Sequence, residues 1–238
     1  MSRLEDIRCA EKASHLEMYA ANGLYEAGSW LHKPVKTVLE LLRHFEGCRE
    51  FRALDLGCGV GRNGIAAARA FPDCRCQVDC VDILEFAIEK LRENAAHYGV
   101  EDRICGIVSD IGTYGIKPGR YDFIMAISAL EHTASEAVFV HKLEEIRNGL
   151  REKGIACLVV NSNVSERNVA TGQPLDPQFE VNLPTGKLLS VLEETFEGWE
   201  VVKQTVRHQS YEIPRERGVA MLETDVVTYV VKRDADVQ

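Results

Sequence analysis

The sequence predicts an α/β fold: a Rossmann-like, doubly wound and mostly parallel seven-stranded sheet that ends in an antiparallel hairpin. Three observations predict it. From Phe51 to Asn161, short apolar runs alternate with helical runs, the pattern of right-handed β–α–β crossovers. The run YDFIMAISAL, from Tyr121, is almost wholly apolar, as a strand covered on both faces must be. The tail carries two long β-rich runs, WEVVKQTVRHQSYEI and MLETDVVTYVVKR, joined by PRERGVA, which reads as a hairpin.

A chain of 238 residues has the length of one α/β domain. Residues 1–50 form a helical cap, 51–162 a ligand-binding core, 163–186 a candidate substrate lid, and 187–238 a helix and the hairpin. At 45% hydrophobic and 27% charged, the composition is that of a soluble globular protein. No apolar run reaches the roughly 18 residues that span a bilayer. The start, MSRLEDIRCAEK, has neither an apolar core nor a cleavage site, so the expected location is cytoplasmic, with no membrane partner. A formal charge of -9 makes nucleic acid an unlikely partner, since phosphate contacts need clustered Lys and Arg. The oligomeric state is left open.

Each element has its own signal. AEKASHLEMYAANGLYEAGSW is helical and then looped, and PVKTVLELLRHF is a helix before the first strand. FRALDLG is that strand, and NGIAAARAF the helix after it. CQVDCVDIL is the second strand, in which Cys76, Val78 and Cys80 alternate as buried positions do. The eight cysteines include the cluster CRCQVDC, but its spacing lacks the paired C-x2-C knuckles of structural zinc, and no metal site is expected. LEFAIEKLRENAAHYG is an amphipathic helix closed by Gly99, with Phe86, Ala87, Leu91, Ala95 and Tyr98 on its apolar face. DRICGIVSD and YDFIMAISAL are the third and fourth strands. SEAVFVHKLEEIRNGLREKG reads as a helix closed by Gly154, and IACLVVN as the fifth strand. Asn161 to Gly186 is then unusually long for a connection, hence the candidate lid.

The motif that carries chemistry is LDLGCGVGRNG, Leu54–Gly64. Gly59, Gly61 and Gly64 make a literal G-x-G-x-x-G, the spacing of a dinucleotide loop, which keeps an NAD(P)-dependent oxidoreductase as an alternative. Asp55 speaks against it, because a carboxylate ahead of the turn repels a pyrophosphate and suits a cation. S-adenosylmethionine has no phosphate and carries an ammonium and a sulfonium. Asp82 ends the second strand, where a carboxylate accepts ribose hydroxyls, although NAD enzymes place an acid there too. Asp79 is its rival. Asp110 ends the third strand and suits the exocyclic amine of adenine, with Ile83 and Ile111 bracketing the ring. Asp110 as a helix N-cap is the competing reading. Asp122 reads as structural.

ALDLGCGVGRN, CVDIL, SDI and YDFIMAISALEHT together resemble the class I S-adenosylmethionine-dependent methyltransferases, over about Ala53 to Asn161. The resemblance implies that Asp55, Gly57, Gly59 and Gly61 form the first motif. It implies Asp82 as the ribose acid, Asp110 with Ile111 as the adenine site, and Ser128 as a contact to the methionine part. It implies S-adenosyl-L-methionine as cofactor, S-adenosyl-L-homocysteine as product, and methyl transfer to a small-molecule acceptor. GRN and the ending FEGWEVVKQ…LETDVVTYVVKR faintly resemble tellurite-resistance and thiol methyltransferases, but where that group has a hairpin histidine this chain has Pro214.

Displacement at a sulfonium methyl needs alignment and exclusion of water more than acid–base help. Candidate catalytic residues are therefore few: Glu131 and His132 after the fourth strand, and His208, beside Tyr211, in the hairpin. Tyr19, Tyr25 and Trp30 are candidates to cap the pocket. Asn161, Arg167 and Asn168 are candidate polar contacts to substrate. A non-catalytic module that binds S-adenosylmethionine remains an alternative.

Overall fold

Alternating side chains along each strand supply two separate apolar cores, and the helices are placed by which core they fill. The computed structural model describes residues 3–215 and 218–234. Glu216 and Arg217, inside the connection PRERGVA, lie outside the described residues. The chain enters through α1 (Arg3–Ala21), whose end is held by Asn22 Nδ2 donating to the Met18 carbonyl at 2.9 Å. Then come α2 (Lys36–Leu42), β1 (Glu50–Leu56), α3 (Gly64–Arg69), β2 (Arg75–Asp82), α4 (Glu85–His97), β3 (Ile104–Val108), β4 (Tyr121–Ile127) and α5 (Glu136–Gly149). They are followed by β5 (Leu150–Asn168), the two-residue β6 (Pro174–Leu175), α6 (Thr185–Thr195), β7 (Glu200–Arg215) and β8 (Gly218–Lys232).

The sheet order is β3-β2-β1-β4-β5-β8-β7, with β6 paired to β5 off that path. The first five strands are parallel, and β8 and β7 extend them as the antiparallel edge expected of the tail. Strand order reverses between β1 and β4, the switch point beyond whose carboxyl ends ligands bind. Alternation divides the strands cleanly. Ala53, Phe123, Met125 and Cys157 face the core under α2, α3 and α4, while Leu54, Ile124, Ala126 and Leu158 face the core under α5 and α6. No helix among the described residues is long and apolar enough to cross a membrane.

Two boundaries differ from the sequence reading. The helix expected to run to Gly154 stops at Gly149, and Leu150 is already extended. A side chain at Gly149 would put its Cβ 2.5 Å from Ile116 Cγ2, and Lys153 turns the chain with φ of 62°. The expected loop after Asn161 begins instead as strand: β5 runs 19 residues, and its far half pairs with β8 from Ser165↔Glu223 to Asn168↔Ala220. Ser162, Val164 and Glu166 point inward there, so polar residues on the buried face hid the period of two.

Candidate active site

The turn after β1 is built on glycine. Gly57 and Gly59 have φ of 70° and 51°, a region that L side chains rarely enter. A Cβ on Gly57 would lie 2.4 Å from Ala129 Cβ, and one on Gly59 would lie 2.6 Å from the Tyr19 hydroxyl. The backbone N–H groups of Gly57 and Cys58 both donate to the Val81 carbonyl, at 2.9 and 3.0 Å. Asp82 completes the lock: Oδ2 accepts from the Gly59 N–H at 2.8 Å and Oδ1 from the Leu84 N–H at 2.9 Å. Its carboxylate therefore joins the end of β2 to the glycine turn.

Behind the turn lies Asp55, 1% exposed, with an Oδ2 that has no hydrogen-bond partner. Burial raises its pKa to about 7, and the Gly64 amide and the Arg62 guanidinium offset only part of that rise. Arg62 lies 4.7 Å over the Trp30 ring and donates Nη1 to the Trp30 carbonyl at 3.0 Å. Its own burial lowers its pKa.

At the adenine end, Asp110 does two jobs. Oδ1 accepts from the Gly112 N–H at 2.7 Å in a turn, not at the start of a helix as the competing reading had it, and Oδ2 accepts from Arg8 Nη2 of α1 at 2.8 Å. Ile83 is half exposed beside Asp82, while Ile111 is buried in the core under α5. Asp79 is fully engaged by Tyr121, Arg120 and Gln77 within the fold. Asp122 is structural as read, accepting from the Arg52 N–H at 2.8 Å and facing Arg151. Ser128 is exposed with φ of 50°, and its N–H donates to the Val159 carbonyl at 2.7 Å.

Beyond β4, Glu131 is fully buried. Its Oε1 accepts from the Asn161 N–H at 3.0 Å and from Asn161 Nδ2 at 2.5 Å, and its Oε2 has no hydrogen-bond partner. Burial raises its pKa. Asn161 thus serves Glu131, and Thr224 Oγ1 reaches Asn161 Oδ1 at 3.2 Å. His132 places Nδ1 2.9 Å from Glu180 Oε2 and stacks on Phe179 with centroids 5.3 Å apart. An Nδ1–H donated to that carboxylate would orient the ring and leave Nε2 as its other nitrogen. Glu180 also lies 3.6 Å from Arg8 Nε, so Arg8 joins the Asp110 side of the edge to the His132 side.

Trp30 and Tyr19 stand over the glycine turn, with ring centroids 6.1 Å apart. Tyr25 has φ of 65° and donates its hydroxyl to the Arg62 carbonyl at 2.7 Å, so it braces the turn. Three candidates are not brought to this group. His208 pairs with Asp225 at 3.0 Å across β7 and β8, beside Thr185 of α6. Arg167 alternates outward from buried Glu166 and faces Glu223 at 3.7 Å. Asn168 Oδ1 caps the turn at Ala170 and Thr171. Arg8, Glu180 and Arg62 were missed. Glu180 and Arg8 lie far from the glycine motif in sequence, and only the path of α1 across the strand ends unites them. Arg62, in GRN directly after the glycines, had the one local signal.

Residues 53–154 match the sequence profile of the family described as a methyltransferase domain. That stretch, less than half of the 238 residues, is what this chain has in common with methyltransferase domains. Over 107 residues the chain is 31% identical to carboxy-S-adenosyl-L-methionine synthase of Shewanella piezotolerans, a match covering 44% of this chain and 42% of that one. Over 53 residues it is 47% identical to ribosomal protein uL3 glutamine methyltransferase of Bordetella pertussis, covering 22% and 17%. The matched stretch is thus less than half the length of either relative. Among solved structures, TehB from Haemophilus influenzae shares the fold with a TM-score of 0.62 at 18% identity, over 84% of this chain and 62% of that one.

The residues present fit the family's cofactor, S-adenosylmethionine. An unpartnered, buried carboxylate oxygen behind a glycine turn suits a cationic group and repels a diphosphate. The exposed Ile83 gives an apolar platform next to Asp82.

Proposed function

We propose that this chain transfers the methyl group of S-adenosylmethionine to a small-molecule acceptor by in-line displacement. The observation that carries the reading is Asp55 Oδ2, buried and without a partner directly behind the glycine turn. The cofactor supplies an activated methyl on a positively charged sulfur, and the departing thioether is neutral. The chain's part is therefore to bind, align and keep out water.

In this reading Asp55 balances the ammonium, and the glycine turn admits the methionine part against bare backbone. Asp82 meets the ribose hydroxyls, and Ile83 lies against the adenine ring. Asp110 takes the exocyclic amine on the carboxylate that Arg8 also holds. Ser128, at the end of β4, turns toward the methionine part. On the acceptor side His132, oriented by Glu180, receives a proton from acceptors that arrive protonated. Glu131, held by Asn161, forms the floor beneath it. Residues 176–183 are the part of the expected lid that we assign to closure, since Val181 N–H bonds the Glu131 carbonyl at 2.9 Å and Glu180 bonds His132. A small acceptor is supported by the aromatic pair Tyr19 and Trp30 over the turn, by the crossing of α1, and by the acidic charge of -9.

Isothermal titration with S-adenosylmethionine, S-adenosylhomocysteine and NAD tests the reading, with Asp82→Ala as control. Binding of the first two, lost in the variant, is expected. Binding of NAD alone overturns it. Release of S-adenosylhomocysteine across a panel of small thiols, amines and hydroxyl compounds then tests catalysis. Tight cofactor binding without turnover on any acceptor would leave a binding module in place of an enzyme.

A further inference from the structure

We propose that Cys48 and Cys74 form a reversible redox couple that closes into a disulfide when the protein meets an anionic, low-molecular-weight disulfide of the glutathione type. This site lies at the opposite edge of the sheet from the glycine turn and does not depend on the methyl-transfer reading. The two Sγ atoms are 3.3 Å apart. Their backbones are set by the start of the β1–β2 pairing: the Arg75 N–H donates to the Arg49 carbonyl at 3.0 Å, and Glu50 is in register with Arg75. Cys48 and Cys74 lie just before these two paired strands, so the start of the parallel pairing holds their backbones side by side. Both are held in turns, with Cys48 N–H on the Phe45 carbonyl and Cys74 N–H on the Phe71 carbonyl, each at 3.2 Å. Arg103 fixes the segment before Cys74 by donating to the carbonyls of Ala68, Phe71 and Pro72.

Access and charge suit the oxidant. Cys48 is half-buried, and Cys74 lines a polar cavity of about 320 Å³ with Arg52, Arg75 and Arg103, together with the acids Glu50 and Asp102. Burial, then the contact with Cys48, raise the pKa of the Cys74 thiol, while Cys48 is the more exposed of the two and attacks first. Its thiolate forms a bond to one sulfur of the oxidant, whose S–S bond breaks and releases one thiolate. Cys74 then loses its proton to solvent and attacks the Cys48 sulfur, forming the protein disulfide and releasing the second thiol. Two protein thiols are oxidised by two electrons, and one small disulfide is reduced to two thiols. The ring so closed contains residues 49–73, which are β1, the glycine turn and α3. Cys58 and Cys80, also in contact, are both buried.

The test is incubation of the full folded chain with oxidised glutathione, alkylation of remaining thiols, and non-reducing peptide mapping. The expected result is a Cys48–Cys74 linkage that dithiothreitol reverses, with Tm raised by about 5 °C in the oxidised protein. Cys48→Ser should lose both the linkage and the rise. Exposed Cys9 and Cys105 carry glutathione in either case. Alkylation of both Cys48 and Cys74, a Cys48–Cys76 linkage, or a stop at the glutathione adduct overturns the proposal. The map of the unmodified chain decides the matter even where a variant fails to fold.

Discussion

Asp55 holds a carboxylate where water does not reach it, and its proton equilibrium has measurable consequences. Its pKa in the fold is about 7, against about 3.9 in an unfolded chain. Between those values the native state binds more protons than the unfolded state, so this group's contribution to stability is greatest below about pH 4 and is lost as pH rises through 7. The full swing is about 4 kcal/mol. Thermal scans from pH 5.5 to 8 should therefore show wild type losing several degrees relative to Asp55→Asn; parallel curves would refute the assignment. A cationic ligand reverses the preference, so S-adenosylmethionine should bind more tightly from pH 6 to 7.5 in wild type and much less so in the Asn variant, as titration calorimetry would read. Gly57→Ala tests the turn itself: a left-handed φ of 70° and a Cβ 2.4 Å from Ala129 should cost about 2–4 kcal/mol in denaturant unfolding. At this scale Asp55, the glycines, Asp82 and Asp110 were legible, because strand ends announce themselves by an apolar run stopping at a polar residue. Glu180 and Arg8 were not, since a lone charge in a polar segment carries no sign of where the chain will bring it.

Among the elements, α1 depends most on a few contacts. It crosses the carboxyl edge of the sheet with Arg8 on Asp110 near one end and Tyr19 against Gly59 near the other, and among its described side chains Ile7 and Tyr19 are buried and Met18 packs partly on the core. Its sequence is largely polar, so tertiary anchors rather than an apolar stripe keep it in place. Hydrogen exchange should show the amides from Cys9 to Tyr19 opening about tenfold faster in Arg8→Ala, with α5 unchanged. Equal rates in both proteins would mean that Arg8 is not an anchor. The helices around the core were readable from their period. The far half of β5 was not, because Ser162 and Glu166 face inward, and Glu166 is satisfied there by Arg215, 49 residues away. A charged residue on a buried face reads as loop until its partner is known.

The two cores of the molecule are the two faces of the same strands. Leu54 and Ile124 of one core alternate along the same strands with Ala53 and Phe123 of the other, so the two cores share one backbone. Calorimetry should accordingly give one transition, with van't Hoff and calorimetric enthalpies in agreement; two resolved peaks would show the hairpin melting separately. The parallel sheet and its antiparallel end were legible as a whole because alternation of short runs is a global property that boundary errors of a few residues do not disturb. The two edges of that sheet are unequal. One ends in β3, a strand of five residues, and the other in β7, a strand of 16 whose outward row of amides and carbonyls pairs with nothing further in the sheet order. Such a rim is a template on which a second polypeptide can nucleate. Val201, Val206 and Tyr211 are exposed on this strand, and Arg207 and the ring of Pro214 are features that disfavour edge-to-edge pairing, while Lys203 is turned to Thr37 of α2. Replacing Arg207 with valine should turn a clear solution turbid, with light scattering rising faster than in proportion to concentration; strictly proportional scattering would refute it.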